Sequence, residues 1–176
     1  MALFENIARI YKGAFGRGGV SLAMSRAENV RVEREIEQEE RERNFETAVR
    51  LLATRLEALD DEWSAFKFNV AKRAKIVLTT RDGSAEAIRV YYLEVPDSTR
   101  ARNYLVLYKR AFIAGDCVPV ILTVVPFEWR YERETFSWEN AAREILQAII
   151  DYETCSGRFP MEIIDAQVEV LGVLEV

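Results

Sequence analysis

The chain contains no histidine. That removes the commonest general base, the usual nitrogen ligand of zinc and every histidine-centred triad. Its two cysteines, Cys117 and Cys155, form no CxxC pair, so no metal knuckle, disulfide framework or cofactor site is expected. No apolar run reaches the ~18 residues that a membrane-spanning helix needs. Met1 to Phe15, interrupted by Glu5, Arg9 and Lys12, is not a secretory signal. Neither glycine nor proline occurs between Val20 and Asp82, which leaves that stretch without a breaker.

Unbroken helix is what fills the gap. Phe45, Val49, Leu52, Leu56, Leu59, Trp63, Phe66 and Val70 are spaced alternately by four and three residues. This mean period of ~3.5 keeps one apolar stripe against a partner surface. At ~1.5 Å per residue the stripe extends roughly 39 Å, about twice a strand of ~17–20 Å, so such a helix is expected to cover its sheet and project beyond it. Aromatic Phe45, Trp63 and Phe66 suit a globular core better than a regular coiled-coil seam. Ahead of the stripe, Ile36 is the only apolar residue between Glu33 and Arg43, which marks residues 20–44 as a charged helical spacer. Ser25 and Glu28 have the spacing of a capping box that would start the helix near Arg26. Asn44 could instead cap a second helix and turn the whole into a hairpin.

Residues 2–15 form a separate amphipathic helix by the same logic. Leu3, Phe4, Ile7, Ile10, Tyr11 and Phe15 gather on one side, with Glu5, Asn6, Arg9 and Lys12 opposite. So short a helix is marginal alone in water and is expected to dock on a partner protein, a membrane surface or its own domain. Four of the eight glycines follow at positions 13, 16, 18 and 19. With no strand before them and no Lys-Ser/Thr after, they form a flexible joint rather than a phosphate loop.

The net charge of −5 conceals alternating blocks. Residues 1–19 and 66–115 carry +2 and +6, and residues 20–65 and 116–176 carry −5 and −8. The basic block, with Lys67, Lys72, Arg73, Lys75, Arg100, Arg102, Lys109 and Arg110, suits an anionic ligand or the acidic segments of the fold itself. Acidity of the whole chain argues against a dedicated nucleic-acid binder.

Beyond Ala74 the period shifts to that of strands. Lys75–Arg81, the turn signal Asp82-Gly83 and Ala87–Val95 form a hairpin. Asn103–Ala114 fits either element, and Tyr-Leu-Val-Leu-Tyr favours a strand. The apolar run Val118–Val125 is expected as a strand buried on both faces, in the middle of the sheet. Phe127, Trp129 and Tyr131 alternate with charge, as a continued strand with an aromatic face that is more often core, or as an exposed platform for a small molecule or peptide with Arg130 and Arg133 as its charged handles. Ser137 caps a helix whose core face is Trp138, Ala142, Ile145, Leu146, Ile149 and Ile150, ended by Gly157 and Pro160. Met161–Val176 closes the sheet as a last strand.

These elements make an α+β two-layer sandwich: a mainly antiparallel sheet, meander plus C-terminal helix and strand, covered by a long N-terminal helix. The division expected is 1–19 for the amphipathic helix and joint, 20–44 for the spacer, and 45–176 for the α+β domain. The strand–helix–strand ending is similar in layout to a cyanobacterial and plastid family of unknown function, a likeness that implies nothing about activity.

With no catalytic signature, the leading expectation is a non-catalytic cytoplasmic assembly or adaptor protein, free or peripheral to a membrane or large complex. It would dock on a partner or a second copy through residues 2–15 and the long helix. A small-ligand or anionic-ligand module is one alternative. An enzyme working through Glu128, Glu132 and Asp151 near Tyr131 and Tyr152 is another, since paired carboxylates need no histidine.

Overall fold

The computed structural model describes residues 22–65, 71–96, 103–155 and 162–171. The docking residues expected within 2–15 lie outside these, as do Phe66 and Val70. The chain divides into two compact units, Met1–Arg41 and Glu42–Val176.

Helix α1, Leu22–Ser64, runs through 43 residues without a break and belongs to both units. It passes through Ser25, so the capping-box start near Arg26 is not used, and through Asn44, so there is no helical hairpin. In the first unit its side chains from Ser25 to Arg41 are exposed or half-buried and contribute nothing to the core. The i,i+4 pairs Arg31–Glu35 at 3.6 Å and Glu37–Arg41 at 4.0 Å lie on this solvated stretch. Each adds only ~0.2–0.5 kcal/mol.

In the second unit the predicted stripe becomes a buried face. Val49, Leu52, Leu56, Leu59 and Trp63 are all at most 2% exposed, and Phe45 packs at the margin. The helix stops at Ser64, before the expected end at Val70, where the Ser64 hydroxyl donates to the Asp61 carbonyl.

Five strands follow the helix: β1 Lys72–Asp82, β2 Ala85–Val95, β3 Asn103–Ile113, β4 Asp116–Phe127 and, after helix α2 (Trp138–Cys155), β5 Glu162–Val170. Their order is β4-β3-β2-β1-β5 and every pairing is antiparallel. The meander thus leaves β1 with a free side, and α2 carries the chain back across the sheet to fill it. Two-residue turns join β1 to β2 and β3 to β4. Gly83 has φ of +60°, and Ala114 and Gly115 both adopt left-handed conformations, which suits the twist of antiparallel strands.

Burial alternates along β1 as far as Thr80, over Tyr91–Val95 of β2 and over Asn103–Leu107 of β3, as period-two geometry demands. One face carries Ala74, Ile76, Leu78, Tyr91, Leu93, Leu105, Leu107, Val125 and Ala166 into the core. Both helices lie on that face: α1 through Trp63, in edge contact with Phe127, and α2 through Ile145, Leu146 and Ile149. Among the described residues no helix covers the opposite face.

Two expectations for the outer strand fail. β4 is an edge of the sheet and not its centre, and Ile121 and Val124 in its apolar run are 63% and 49% exposed. The strand also ends at Phe127, and Arg130–Glu132 form a short 3-10 turn where a continued strand was expected. The cause lies in Glu128. Its carboxylate accepts the backbone N–H groups of Glu134 (2.7 Å), Thr135 (3.2 Å) and Phe136 (3.3 Å) and the Thr135 hydroxyl (2.9 Å), folding the loop back on itself. These bonds hold the Glu128 pKa down at about 2. A carboxyl titration by NMR should therefore place Glu128 far below the exposed glutamates. The contribution of Glu128 to the order of loop 128–136 should be full above its ordinary pKa, decline as pH falls below that and be gone only near pH 2, where the native carboxyl takes up its proton. A midpoint near 4 would show that the loop is not held this way.

Candidate functional site

Ionisable groups are drawn into two enclosed networks. At the first, Glu153 of α2 is 2% exposed and reaches the covered face of the sheet. It accepts the Tyr91 hydroxyl and the Lys109 ammonium, each at 2.9 Å, and pairs with Arg89 at 2.9 Å. Burial pushes its pKa up, but the bonds from Lys109 and Tyr91 and the charges of Lys109 and Arg89 outweigh this and hold it below the ordinary value. Tyr91 is raised, first by burial and then by its bond to the carboxylate.

At the second, Asp60 near the end of α1 is 3% exposed and meets Arg133 at 2.8 Å and Arg130 at 3.8 Å. Arg130 also binds Asp61. The Arg133 guanidinium lies 5.0 Å from the Phe136 ring centroid and just under 6 Å from those of Phe127 and Trp138, and its Nε donates to the Glu128 carbonyl at 3.0 Å. Its charge is thus shared between a carboxylate and ring faces.

Four of the five residues expected as an aromatic binding surface belong to this second assembly. Phe127 is buried, Trp129 packs edge-on against it at 4.9 Å, and Arg130 and Arg133 turn to the aspartates. Tyr131 alone stands in water, 91% exposed. The five therefore present no common open face. The carboxylates considered for catalysis do not converge either. Glu128 is taken up by its loop, Asp151 accepts the Gln147 amide on α2 at 2.9 Å, and Glu132 is exposed on the 3-10 turn. Among the described residues no group of three acidic or cysteine side chains is placed to hold a metal ion. No described helix is long and apolar enough to cross a membrane.

Four cations of the basic block are answered by carboxylates inside the second unit. Lys109 and Arg89 face Glu153, Arg73 lies 3.8 Å from Glu94, and Arg81 binds Glu86 at 2.9 Å. Among the described residues, Arg73 and Arg110 also join the feature that stands open.

That feature is the helix-free face of β2, β3 and β4. Pairing sets Tyr92 beside Tyr108, Tyr108 beside Ile121, Val106 beside Val124 and Phe112 beside Cys117. The Tyr92 and Tyr108 rings stack at 5.3 Å, Arg110 lies 4.7 Å above the first, and Arg73 donates to the Tyr108 hydroxyl at 3.2 Å. Around this rigid centre, Ile88, Phe112 and Ile121 are 73%, 79% and 63% exposed. A shallow depression of about 510 Å3 runs between Arg73, Glu94, Val106, Arg110, Pro119 and Ile121. Scattered apolar residues are ordinary on a surface, but here the register sets Tyr92, Tyr108 and Ile121 side by side.

No known protein family matches this chain, and neither does any curated protein or solved structure. Function must be drawn from these surfaces alone. Sequence reasoning passed over Ile121 and Val124 because an apolar run looks the same at an edge as in a centre. The available signal was Pro119 and Pro126, since a residue with no N–H belongs at the rim of a sheet.

Proposed function

We propose that this is a non-catalytic assembly protein that holds a partner protein against the helix-free face of its sheet. One observation carries the reading: Ile88, Phe112 and Ile121 are exposed together with a stacked Tyr92–Tyr108 pair and Arg110. Aromatic and arginine side chains on a preformed surface are the usual anchors of protein association. The buried placement of Glu153 and Asp60 supports a non-catalytic role, because Glu153 is consumed in holding α2 to the sheet and Asp60 in holding α1 to the loop after β4. Residues 2–15 add a second docking element through Leu3, Phe4, Ile7, Ile10, Tyr11 and Phe15, on the partner or on a membrane surface.

Affinity capture with the full chain tests both parts. The double variant Ile88→Glu, Phe112→Glu is expected to lose the captured partner, with affinity of the purified pair falling about a hundredfold. Its own melting transition should hardly move, since substitutions at such exposed sites stay within about 0.5 kcal/mol. Deleting residues 1–19 should likewise abolish association and leave melting nearly unchanged. Undiminished binding by the double variant overturns the sheet face as the interface; a large loss of stability on deletion overturns the detachable role of the first segment.

A further inference from the structure

The outer edge of β4 opens into a groove of about 660 Å3 whose other wall is α2. Ile121, Leu122, Thr123 and Val124 form its strand side, and Glu144, Gln147 and Asp151 stand on the helix side. Those three recur at helical spacing along one stripe of α2, parallel to the free edge.

Edges of sheets are usually blunted, because alternate residues turn unpaired N–H and C=O groups outward. Pro119 and Pro126 do this at two points and leave Val120–Val125 between them without a proline. The bulge at Leu122, where the register against β3 slips, lies inside this interval. The edge is therefore closed to pairing at the two prolines and bent at the bulge between them, and the groove lies over Ile121–Val124 and reaches Pro126. Charge defines what fits. Glu144 has no ion pair among the described residues, and Asp151 is met by a neutral amide. Lys109, 5.5 Å over the Tyr152 ring beside the groove, is bound to Glu153 and so leaves the wall acidic.

We infer that the β4–α2 groove accepts an extended segment of a partner that adds as a sixth strand along Val120–Val125, with basic side chains on its helix-facing side and apolar ones on the other. Main-chain bonds supply the grip and alternate side chains the selectivity. From Glu144 to Asp151 is ~10.5 Å along the helix, and alternate residues of a strand repeat every ~6.8 Å, so two lysines or arginines on one side of the segment span both acids. Ile121 and Val124 meet the apolar side at the rim. This groove meets the helix-free face at Ile121, and the variants that test it leave Ile88 and Phe112 untouched.

The probe is a short labelled peptide of alternating lysine and valine, tested on the full chain by fluorescence anisotropy. Two control peptides replace the lysines by glutamate, or every second valine by proline. The lysine–valine peptide is expected to bind, and the glutamate peptide to bind about tenfold or more weakly. The proline peptide, with its charge retained and its strand geometry lost, should bind as poorly. The variant Glu144→Lys, Asp151→Lys, altered only at exposed positions, should invert the preference between the two charged peptides. Amide exchange within Val120–Val125 should slow when the lysine peptide is bound. Absence of binding overturns the inference. So does equal binding of the proline peptide, an unaltered preference in the charge-reversed variant, or unchanged exchange across the window.

Discussion

Replacing Trp63 by alanine is expected to cost about 3–5 kcal/mol, the usual loss when a buried large aromatic is truncated. Trp63 is 1% exposed and stands where α1 ends, with Phe127 and Trp138 each 6.4 Å away between ring centroids. Phe127 in turn touches Trp129 and Phe136, so one ring joins the long helix, the last turn of β4 and the start of α2. Domains of this size are stable by roughly 5–15 kcal/mol, and the loss therefore takes much of the margin. Urea unfolding followed by circular dichroism measures it. Trp63→Phe, which keeps most of the ring area, should cost considerably less; a loss below about 1 kcal/mol for the alanine variant would show that the aromatic cluster closes over the gap.

Glu153→Ala should be nearly as damaging, by about 3 kcal/mol, for a different reason. Removing one member of a buried ionic group strands its partners, and here Arg89 and Lys109 keep only 11% and 29% of their side-chain surface in contact with water. The lower end of the usual 3–5 kcal/mol range applies because Lys109 remains partly hydrated. Acid should narrow the difference. The native carboxyl titrates below its ordinary value, so its stabilisation is complete above about pH 4.3 and disappears as pH falls through the lower native pKa. Unfolding curves for wild type and variant should run parallel from about pH 5 to 8 and converge below about 4. A constant gap down to pH 3 would mean that shape, not charge, is what Glu153 provides.

Much of the architecture can be read in the residues because it is governed by local spacing. The alternating gaps from Val49 to Trp63 specify a helix with one buried face, and that face is buried. Asp82-Gly83 sets the first hairpin, and Ser137 caps α2 by accepting the Asn140 N–H at 3.1 Å. The ambiguous stretch at Asn103 is a strand because Tyr104, Val106 and Tyr108 find opposite numbers in Pro126, Val124 and Ile121. What escapes is whatever depends on sheet order. Nothing within Val118–Val125 says that no strand will lie beyond it. Nor does the sequence around Tyr91 announce a carboxylate 62 residues away. The alternation at 127–133 misleads for a related reason: the Glu128 carboxylate captures amides six to eight residues onward, a reach that a two-residue period cannot register. The candidate surfaces were legible only as composition, since exposure of Ile88 and Phe112 follows from both helices choosing the other side.

The return of β5 to the flank of β1 sets a timetable for synthesis. Ala74 pairs with Val170, and nearly a hundred residues leave the ribosome between them. At ~5–20 residues per second, β1 waits roughly 5–20 s with one side bare while the rest of the meander forms. A nascent sheet of this kind has an adhesive rim until β5 emerges, and slow codons between β1 and β5 would prolong the period in which neighbouring polysomes can entangle.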